Sequence, residues 1–269
     1  IHYTLADRHN FYASFAVAQK EPTRSDFTDR YMFSGDNSYP SSEKLYDYEL
    51  GYRYDTPKFS AGVNLYYMKY KDQLVPTGMV NDDSNALNTN VPDSYRRGVE
   101  LSASWRATGW FTVGANATFS QNRIENYVDA LKDSPTYGKE LGDMTIAYSP
   151  DVIANAFLNF HHRGFEAVFH TQHVGKQYFT NNENDALSLD AYCVTNLNLD
   201  YTFRTRSARS VRLGLLINNL FNAEYESNGY GYSYMDTWSG PAPVRIDEAY
   251  YFPQAPLNVL ANEDGGDSV

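Results

Sequence analysis

The sequence has few of the residues and runs that mark common sites and membrane segments. Its single cysteine, Cys193, cannot form an internal disulfide and matches no zinc spacing. No stretch approaches the about eighteen consecutive apolar residues of a membrane helix. The net charge of −11 argues against a nucleic-acid partner. These absences exclude helical spans and a disulfide framework, and no pattern indicates a metal or a cofactor.

Tyrosine is the residue in excess, with 24 among 269 residues. Its ring is apolar and its hydroxyl is polar, so it suits a membrane interface, where one end of the side chain is wet. The mean hydropathy of −0.56 excludes helical spans but not a β-barrel, because a barrel also has a polar interior and polar loops.

Two long alternating strands flank a short turn between residues 44 and 71. The first has a charged face and an aromatic face: Asp47, Glu49, Gly51, Arg53 and Asp55 alternate with Tyr46, Tyr48, Leu50, Tyr52 and Tyr54. Both strands reach the roughly nine to eleven residues that cross a bilayer at a tilt. A charged row cannot face hydrocarbon, so it must face water inside a barrel.

The same period along the chain predicts an all-β fold, an antiparallel up-and-down transmembrane β-barrel. About ten strands follow an opening fragment at 1–5, which looks like the tail of a strand already under way. The strands are predicted at 10–19, 44–55, 59–71, 94–107, 110–122, 150–162, 165–176, 191–203, 210–222 and 248–261. Short turns at 6–9, 55–58, 107–110, 162–164 and 204–210 alternate with long connections at 20–43, 72–93, 123–149, 176–190 and 223–247. The pair at 150–176 is weaker, since Phe157 falls on its polar face.

Three stretches carry a resemblance to a known family. They are residues 12–27, 217–230 and 250–255, and the most specific is the run Asn219-Leu220-Phe221-Asn222-x-x-Tyr225. Together they resemble the C-terminal half of the barrel of a TonB-dependent outer-membrane receptor, in the Bacteroidetes form. The resemblance covers the chain to about residue 261. Because an outer-membrane protein must be exported and residues 1–5 do not read as a signal peptide, we expect a processed chain or a piece of something longer.

The resemblance implies a partial barrel, about ten strands of a larger one with about twenty-two. It implies active transport of a scarce nutrient, of the siderophore, cobalamin, haem or glycan class, at the outer membrane of a Gram-negative cell. The implied partners are outer-membrane lipid, the plug domain and N-terminal barrel half of the same receptor, the TonB complex through that plug, and a small-molecule ligand. Residues 1–261 would belong to the barrel, and the acidic residues 262–269 would form a disordered tail.

Aromatic residues in the long loops are the candidate ligand-binding residues. In the last long loop they interleave with glycine, serine and aspartate, which gives stacking faces beside hydrogen-bonding groups and suits a flat or glycan-like ligand. The candidates are Tyr230, Tyr232, Tyr234 and Trp238, with Tyr31, Phe33, Tyr39, Tyr127 and Tyr137 in earlier loops. An aromatic girdle, or a loop that packs on itself, explains the same residues equally well.

Charged residues on the predicted inner face are candidates for lining the lumen or contacting a plug. They are Asp47, Glu49, Arg53, Glu100 and Arg106. Simple solvation of the lumen wall is the favoured alternative.

Two motifs at strand ends are predicted to be structural. In residues 21–26, Pro22 removes a ladder donor and Arg24 can pair with a carboxylate. In residues 218–222, asparagine side chains tolerate left-handed backbone and bond to nearby amides.

No enzyme is predicted. An outer-membrane protease of similar strand count would need an Asp pair and an Asp–His pair at the external rim, yet Asp82 and Asp83 have no histidine in any long loop. A second class of function is a freestanding small barrel that acts as a pore, an adhesin or a structural protein. It would need the strand ending near 261 to pair with the strand at 10–19 and close the sheet.

Overall fold

The computed structural model describes residues 1–28, 39–80, 86–130, 136–204 and 210–266. The strands of its main sheet are β1 (His2–Leu5), β2 (His9–Lys20), β3 (Glu43–Asp55), β4 (Phe59–Val80), β5 (Ala86–Arg106), β6 (Phe111–Ile124), β7 (Met144–Thr145), β8 (Val152–His162), β9 (Phe165–Val174), β12 (Tyr192–Phe203), β13 (Ser210–Asn218) and β16 (Asn258–Gly266). Two hairpins lie outside it: β10 (Gln177–Tyr178) with β11 (Ser188–Leu189), and β14 (Glu226–Asp236) with β15 (Val244–Pro253). A short helix, α1 (Arg24–Thr28), follows β2.

The main sheet is antiparallel and open. Its order is β1-β2-β3-β4-β5-β6-β8-β9-β12-β13-β16, with β7 paired to β6. The predicted all-β antiparallel fold is confirmed, and an open sheet fits a partial barrel. The opening fragment is also a strand as predicted, since β1 pairs with β2 from His2↔Tyr12 to Leu5↔His9.

The register gathers the apolar residues of neighbouring strands on one face of the sheet. Tyr48 lies opposite Tyr67, and Leu50 lies opposite Leu65. This face is open, with Leu50 57% exposed and Phe15 59% exposed. An exposed apolar face is the kind of surface that lipid contacts in a transmembrane barrel.

The opposite face is polar, and bulky rings on it lie over glycines of the next strand. A β-carbon on Gly51 would lie 2.0 Å from Cε1 of Tyr12, and one on Gly114 would lie 2.4 Å from Cε1 of Phe157. Only glycine leaves room for a ring in these places. Phe157 therefore shares the polar face, as its position in the sequence predicts, because Gly114 accommodates it.

Short turns join neighbouring strands at 6–9, 55–58, 107–110 and 162–164, as predicted. Two of these turns use left-handed backbone, at Ala6 and Asp7 and at Arg163 and Gly164. The predicted turn at 204–210 falls largely outside the described residues.

Several predicted long loops contain strands. β4 and β5 go on pairing through Gln73↔Val91 and Pro76↔Asn88, so much of 72–93 is a hairpin that extends the sheet. The loop predicted at 223–247 contains β14 and the start of β15. The single strand predicted at 248–261 is wrong, because residues 254–257 separate β15 from β16. Pro256, which cannot donate to a ladder, lies in that break.

The last strand pairs with β13, from Asn218↔Asn258 to Ser210↔Gly266. Since β2 lies between β1 and β3, the described residues do not form the β2–β16 pairing that a small closed barrel would need. Residues 262–266, expected to begin a disordered tail, belong to β16 because the β13 backbone pairs with them. Residues 267–269 lie outside the described residues.

The segment after β2 is fixed through Asp26. Thr23 donates its backbone N–H to Asp26 Oδ2 at 2.7 Å and its hydroxyl to the same oxygen at 2.6 Å. Asn88 Nδ2 donates to Asp26 Oδ1 at 3.0 Å, which ties α1 to β5. Asp26 therefore gives this motif a structural role, as predicted, and the pairing of Arg24 with a carboxylate stays a prediction.

Candidate ligand-binding face

The buried core lies among the long connections at one end of the sheet. It consists of two clusters, Val75, Val91, Ile124, Tyr127 and Ile146 in one, and Phe179, Leu187 and Leu189 in the other. These residues come from several connections, and the connections pack together into one layer, which we call the loop layer. Such a layer can hold a surface in a fixed shape.

A polar network ties the β10–β11 hairpin to β6 and β7. Glu183 accepts the backbone N–H of Thr145 at 2.9 Å and its hydroxyl at 2.5 Å, and it forms an ion pair with Arg123. Burial raises the pKa of Glu183, but the Thr145 donors and Arg123 outweigh burial, so this pKa lies below its usual range. The backbone N–H of Ala147 donates to Asn181 Oδ1 at 2.7 Å, a second tie between the same elements.

The β14–β15 hairpin packs on this layer through its smallest residues. A β-carbon on Gly229 would lie 2.8 Å from Cζ of Phe179, and one on Gly231 would lie 2.8 Å from Cδ2 of Leu187. Ala249 of β15 packs against the same cluster. Glycine and alanine thus let two backbones approach the Phe179 cluster closely.

The other face of the hairpin carries tyrosines. In β14, Tyr230, Tyr232 and Tyr234 alternate with the buried residues that pack on the core. Tyr250 of β15 is directly opposite Tyr230, and their rings stack with centroids 5.0 Å apart and planes 14° apart. Tyr232 also stacks on Tyr250, at 6.2 Å and 23°. The rings form an ordered strip that the core supports from behind.

A single carboxylate, Glu248, joins three of these phenols. Tyr232 and Tyr250 each donate to Glu248 Oε2 at 2.8 Å, and Tyr234 donates to Oε1 at 3.0 Å. The phenol bonds lower the pKa of Glu248. For the same reason the bond to Glu248 raises the pKa of Tyr232. The cluster therefore holds an ionised carboxylate at neutral pH.

The Asn-Leu-Phe-Asn run at residues 219–222 holds the two ends of this hairpin together through hydrogen bonds of Asn219. Asn219 is 3% exposed and left-handed, and its Nδ2 donates to the carbonyls of Ala223 at 2.8 Å and Ala255 at 3.3 Å. Its Oδ1 accepts the N–H of Ala223 at 2.8 Å. Tyr225, the last residue of the motif, stacks on Tyr192 of β12 at 4.7 Å. The motif is structural, as predicted, and it positions the tyrosine strip.

The face offers rings, hydroxyls and a carboxylate to a ligand. Within the described ranges, no three His, Cys, Asp or Glu side chains come together in a way that could hold a metal ion. No helix of those ranges is long and apolar enough to cross a membrane.

A family comparison identifies the sheet. Residues 1–220 match the family model described as TonB dependent receptor-like, beta-barrel. The chain belongs to the TonB-dependent receptor family. Members of this family are transport receptors, and their β-barrels lie in the outer membrane of Gram-negative bacteria.

Similar TonB-dependent receptors are longer than this chain. The pesticin receptor of Yersinia enterocolitica is 24% identical over 190 residues, which cover 70% of this chain and 26% of the receptor. The solved ferric yersiniabactin uptake receptor of Yersinia pestis has a TM-score of 0.66 at 20% identity, over 97% of this chain and 35% of that one. The copper transporter OprC has a TM-score of 0.68 at 19% identity, over 97% and 38%. At such identities the structures establish the fold, and the Bacteroidetes form stays a prediction.

The predicted ligand residues of this TonB-dependent receptor segment fall into separate places. The strip brings Tyr230, Tyr232 and Tyr234 together. Trp238 lies beyond the end of β14 and is 93% exposed, with its backbone N–H donating to Asp236 Oδ1 at 2.8 Å.

The described candidates from earlier loops lie apart from the strip. Tyr39 is 76% exposed and lies near Phe27, with ring centroids 6.2 Å apart, while Tyr137 is 42% exposed. Tyr127 is 2% exposed, so its ring belongs to the loop core, and burial raises its pKa to about 12. Tyr31 and Phe33 lie outside the described residues.

The predicted lumen row shares the polar face of the sheet. Ser14 donates to Glu49 Oε2 at 3.3 Å, and Asn64 donates to Glu100 Oε2 at 3.1 Å. Arg53 pairs with its neighbour Asp55 at 2.8 Å. The other members of the row are Asp47, which pairs in register with Met68, and Arg106, which pairs with Thr112. Lumen lining and plug contact stay predictions for this row.

Sequence reasoning missed Glu248 and Tyr250 as site residues. It placed both in a single strand at 248–261, away from the loop. The signal was available, because Pro253 and Pro256 interrupt that run and Ile246, Glu248 and Tyr250 continue the alternation of a hairpin.

Proposed function

We propose that this chain forms the C-terminal part of the β-barrel of a TonB-dependent receptor that takes up a scarce nutrient at the outer membrane of a Gram-negative cell. The observation that carries the proposal is the open antiparallel sheet, apolar on one face and polar on the other, within a segment that matches the family over residues 1–220. Such a sheet is stable in lipid only when its outer strands are paired, since unpaired backbone groups are costly in hydrocarbon.

The pairing partners would come from the same receptor. β1 and β16 would pair with strands of the N-terminal barrel half, the apolar face would contact outer-membrane lipid, and the polar face would surround a plug domain. The lumen row would then line the space between barrel and plug. The length of the chain supports this assignment, since it covers 35% of the ferric yersiniabactin receptor chain. The TonB complex would act through the plug.

Ligand capture would occur on the tyrosine strip, with Trp238 beside it. Support comes from rings that are accessible yet fixed: Tyr230 is 40% exposed and Tyr250 is 43% exposed, while the opposite face of the hairpin packs on Phe179 and Leu187. The chemistry is non-covalent binding, followed by TonB-linked displacement of the plug. The ligand would be a small molecule of the siderophore, cobalamin, haem or glycan class.

The intact mass of the polypeptide in isolated outer membranes tests the proposal. An antibody raised against residues 223–247 would be used on an immunoblot of that fraction. We expect a band much larger than the 30.6 kDa of this chain, which would be a receptor with a plug and a full barrel. A band at 30.6 kDa would overturn the proposal in favour of a small barrel or one completed by another protein.

A further inference from the structure

We propose that the ligand held on the tyrosine strip carries an amine or another cationic group. This inference rests on the proposed function, because it names the chemical class of ligand for the same face. It follows from the charge of the hairpin, from the use of the phenol protons and from the arrangement of the rings.

The hairpin has an excess of negative charge. Residues 226–253 contain four carboxylates, Glu226, Asp236, Asp247 and Glu248, and one arginine, Arg245. That arginine is already engaged, since its Nε donates to Asp247 Oδ1 at 2.9 Å and the same carboxylate accepts from Ser233 on the packed face. An anionic ligand on the strip would therefore approach Glu248 without a basic residue of the hairpin to balance it.

The phenol protons of the cluster are committed to the carboxylate. A phenol has one O–H to donate, and Tyr232, Tyr234 and Tyr250 each direct theirs to Glu248. A ligand that meets this cluster finds lone pairs on the phenolic oxygens and on a charged carboxylate. Groups that donate hydrogen bonds and carry positive charge match such a surface, whereas a carboxylate or phosphate would have to compete with Glu248 for these three phenol protons.

The rings add a second attraction for a cation. Tyr230 and Tyr250 stack at 5.0 Å, and Tyr232 and Tyr234 follow along the strip at 6.2 Å. Ammonium groups are attracted to tyrosine faces within about 6 Å of the ring centroid. A flat ligand with an amine could thus rest on the strip while its charged group lies beside Glu248.

Three trisaccharides that differ in charge test this inference. The protein, extracted at its natural length from outer membranes, would be titrated calorimetrically with the trimer of glucosamine, the trimer of N-acetylglucosamine and trigalacturonate, which are cationic, neutral and anionic. We expect the cationic trimer to bind more tightly than the neutral one by about 5- to 30-fold, the range for a cation beside rings and a carboxylate. We expect the anionic trimer to bind most weakly.

The variant Glu248→Gln keeps the shape of the side chain and one of its two acceptor oxygens but removes the charge. We expect it to lose the preference for the cationic trimer over the neutral trimer. Glu226→Gln, which removes a charge at the end of the hairpin where β14 begins, should keep the preference. Independently of any variant, raising the ionic strength from about 0.05 M to about 0.5 M should weaken only the cationic trimer, since salt screens exposed charges.

Three results would overturn the inference: no binding of the cationic trimer, equal or tighter binding of the neutral or anionic trimer, or an intact preference in Glu248→Gln. These outcomes are separate from failure of the proposed function, which the mass of the natural polypeptide decides. A full-length receptor that prefers the anionic trimer would refute the charge class alone.

Discussion

Replacing Gly231 by alanine tests whether the loop core holds the tyrosine strip. The new β-carbon would lie 2.8 Å from Leu187 Cδ2, 2.9 Å from the carbonyl oxygen of Glu248 and 3.1 Å from Phe179 Cδ2. Leu187 is fully buried, and the carbonyl belongs to a paired strand, so neither contact can be relieved by a simple side-chain rotation. Overpacking of this kind costs roughly 1–3 kcal/mol, and we expect the hairpin to separate from the core more often.

Hydrogen exchange of the backbone amides in β14 and β15 measures that separation. A cost of roughly 1–3 kcal/mol corresponds to about a 5- to 150-fold loss of protection. Amides of β3, which pairs with β2 and β4 and not with the hairpin, should keep theirs. The matched control is Gly240→Ala, whose β-carbon would have its nearest neighbour, the carbonyl oxygen of Ala242, at 4.0 Å.

The control also removes a second effect of the substitution. Glycine-to-alanine changes stiffen the unfolded chain and stabilise the fold by roughly 0.4–1 kcal/mol where the backbone permits alanine. Both variants share this gain, so the difference between them reports packing. Equal protection in Gly231→Ala and Gly240→Ala would refute the packing of the hairpin on Phe179 and Leu187.

Three further predictions concern the ties of the loop layer and the sheet. Glu183 has a folded pKa below its usual 4.5, so it stabilises the β10–β11 hairpin above that pH and loses this effect as the pH falls through the folded pKa. Amide protection of the hairpin should drop in acid, and the drop should be smaller in Glu183→Gln, where only the Asp185–Lys176 ion pair of the hairpin still titrates. Asn219→Gly keeps the left-handed backbone but removes the buried side-chain hydrogen bonds. Amide protection of the residues adjoining the hairpin should fall by an amount equivalent to roughly 1–3 kcal/mol. Protection equal to that of the wild type would contradict the role of Asn219 in holding the ends of the hairpin. Gly114→Ala should lower the unfolding temperature of the barrel, measured by electrophoresis of samples heated to increasing temperatures, because the ring of Phe157 occupies the space that the new β-carbon would need. Gly109→Ala should not lower it, because nothing lies within 4 Å of that β-carbon.

The main sheet could be predicted because its signal is local and repeated. In each strand between Tyr46 and Tyr67, the alternation of apolar and polar residues predicts which side chains lie on which face of the sheet. The alternation of short and long connections predicts which strands are neighbours. The opening fragment and the polar-face position of Phe157 followed from the same rule. Antiparallel neighbours need no long-range information beyond chain order, which is why this part of the fold was accessible.

The loop layer could not be predicted because its contacts join residues far apart in the chain. The fit of Gly231 against Leu187, and of Glu183 against Thr145, depends on which connections meet in space. Tyr127 is an example, since the sequence around an aromatic residue in a long loop does not show whether its ring is buried or exposed. The break between β15 and β16 was different, because Pro253 and Pro256 mark it in the sequence.

The position of the tyrosine strip explains why its supports matter for binding. Holding a flexible side chain in place on binding costs roughly 0.5–1.5 kcal/mol, and a surface ordered in advance avoids much of that cost. Here the rings are ordered by Glu248 in front, by Phe179 and Leu187 behind, and by Asn219 at the hairpin ends. Affinity on the proposed ligand face should therefore depend on residues that never touch the ligand, and the glycines that pack on the core belong to the proposed site as much as the tyrosines do.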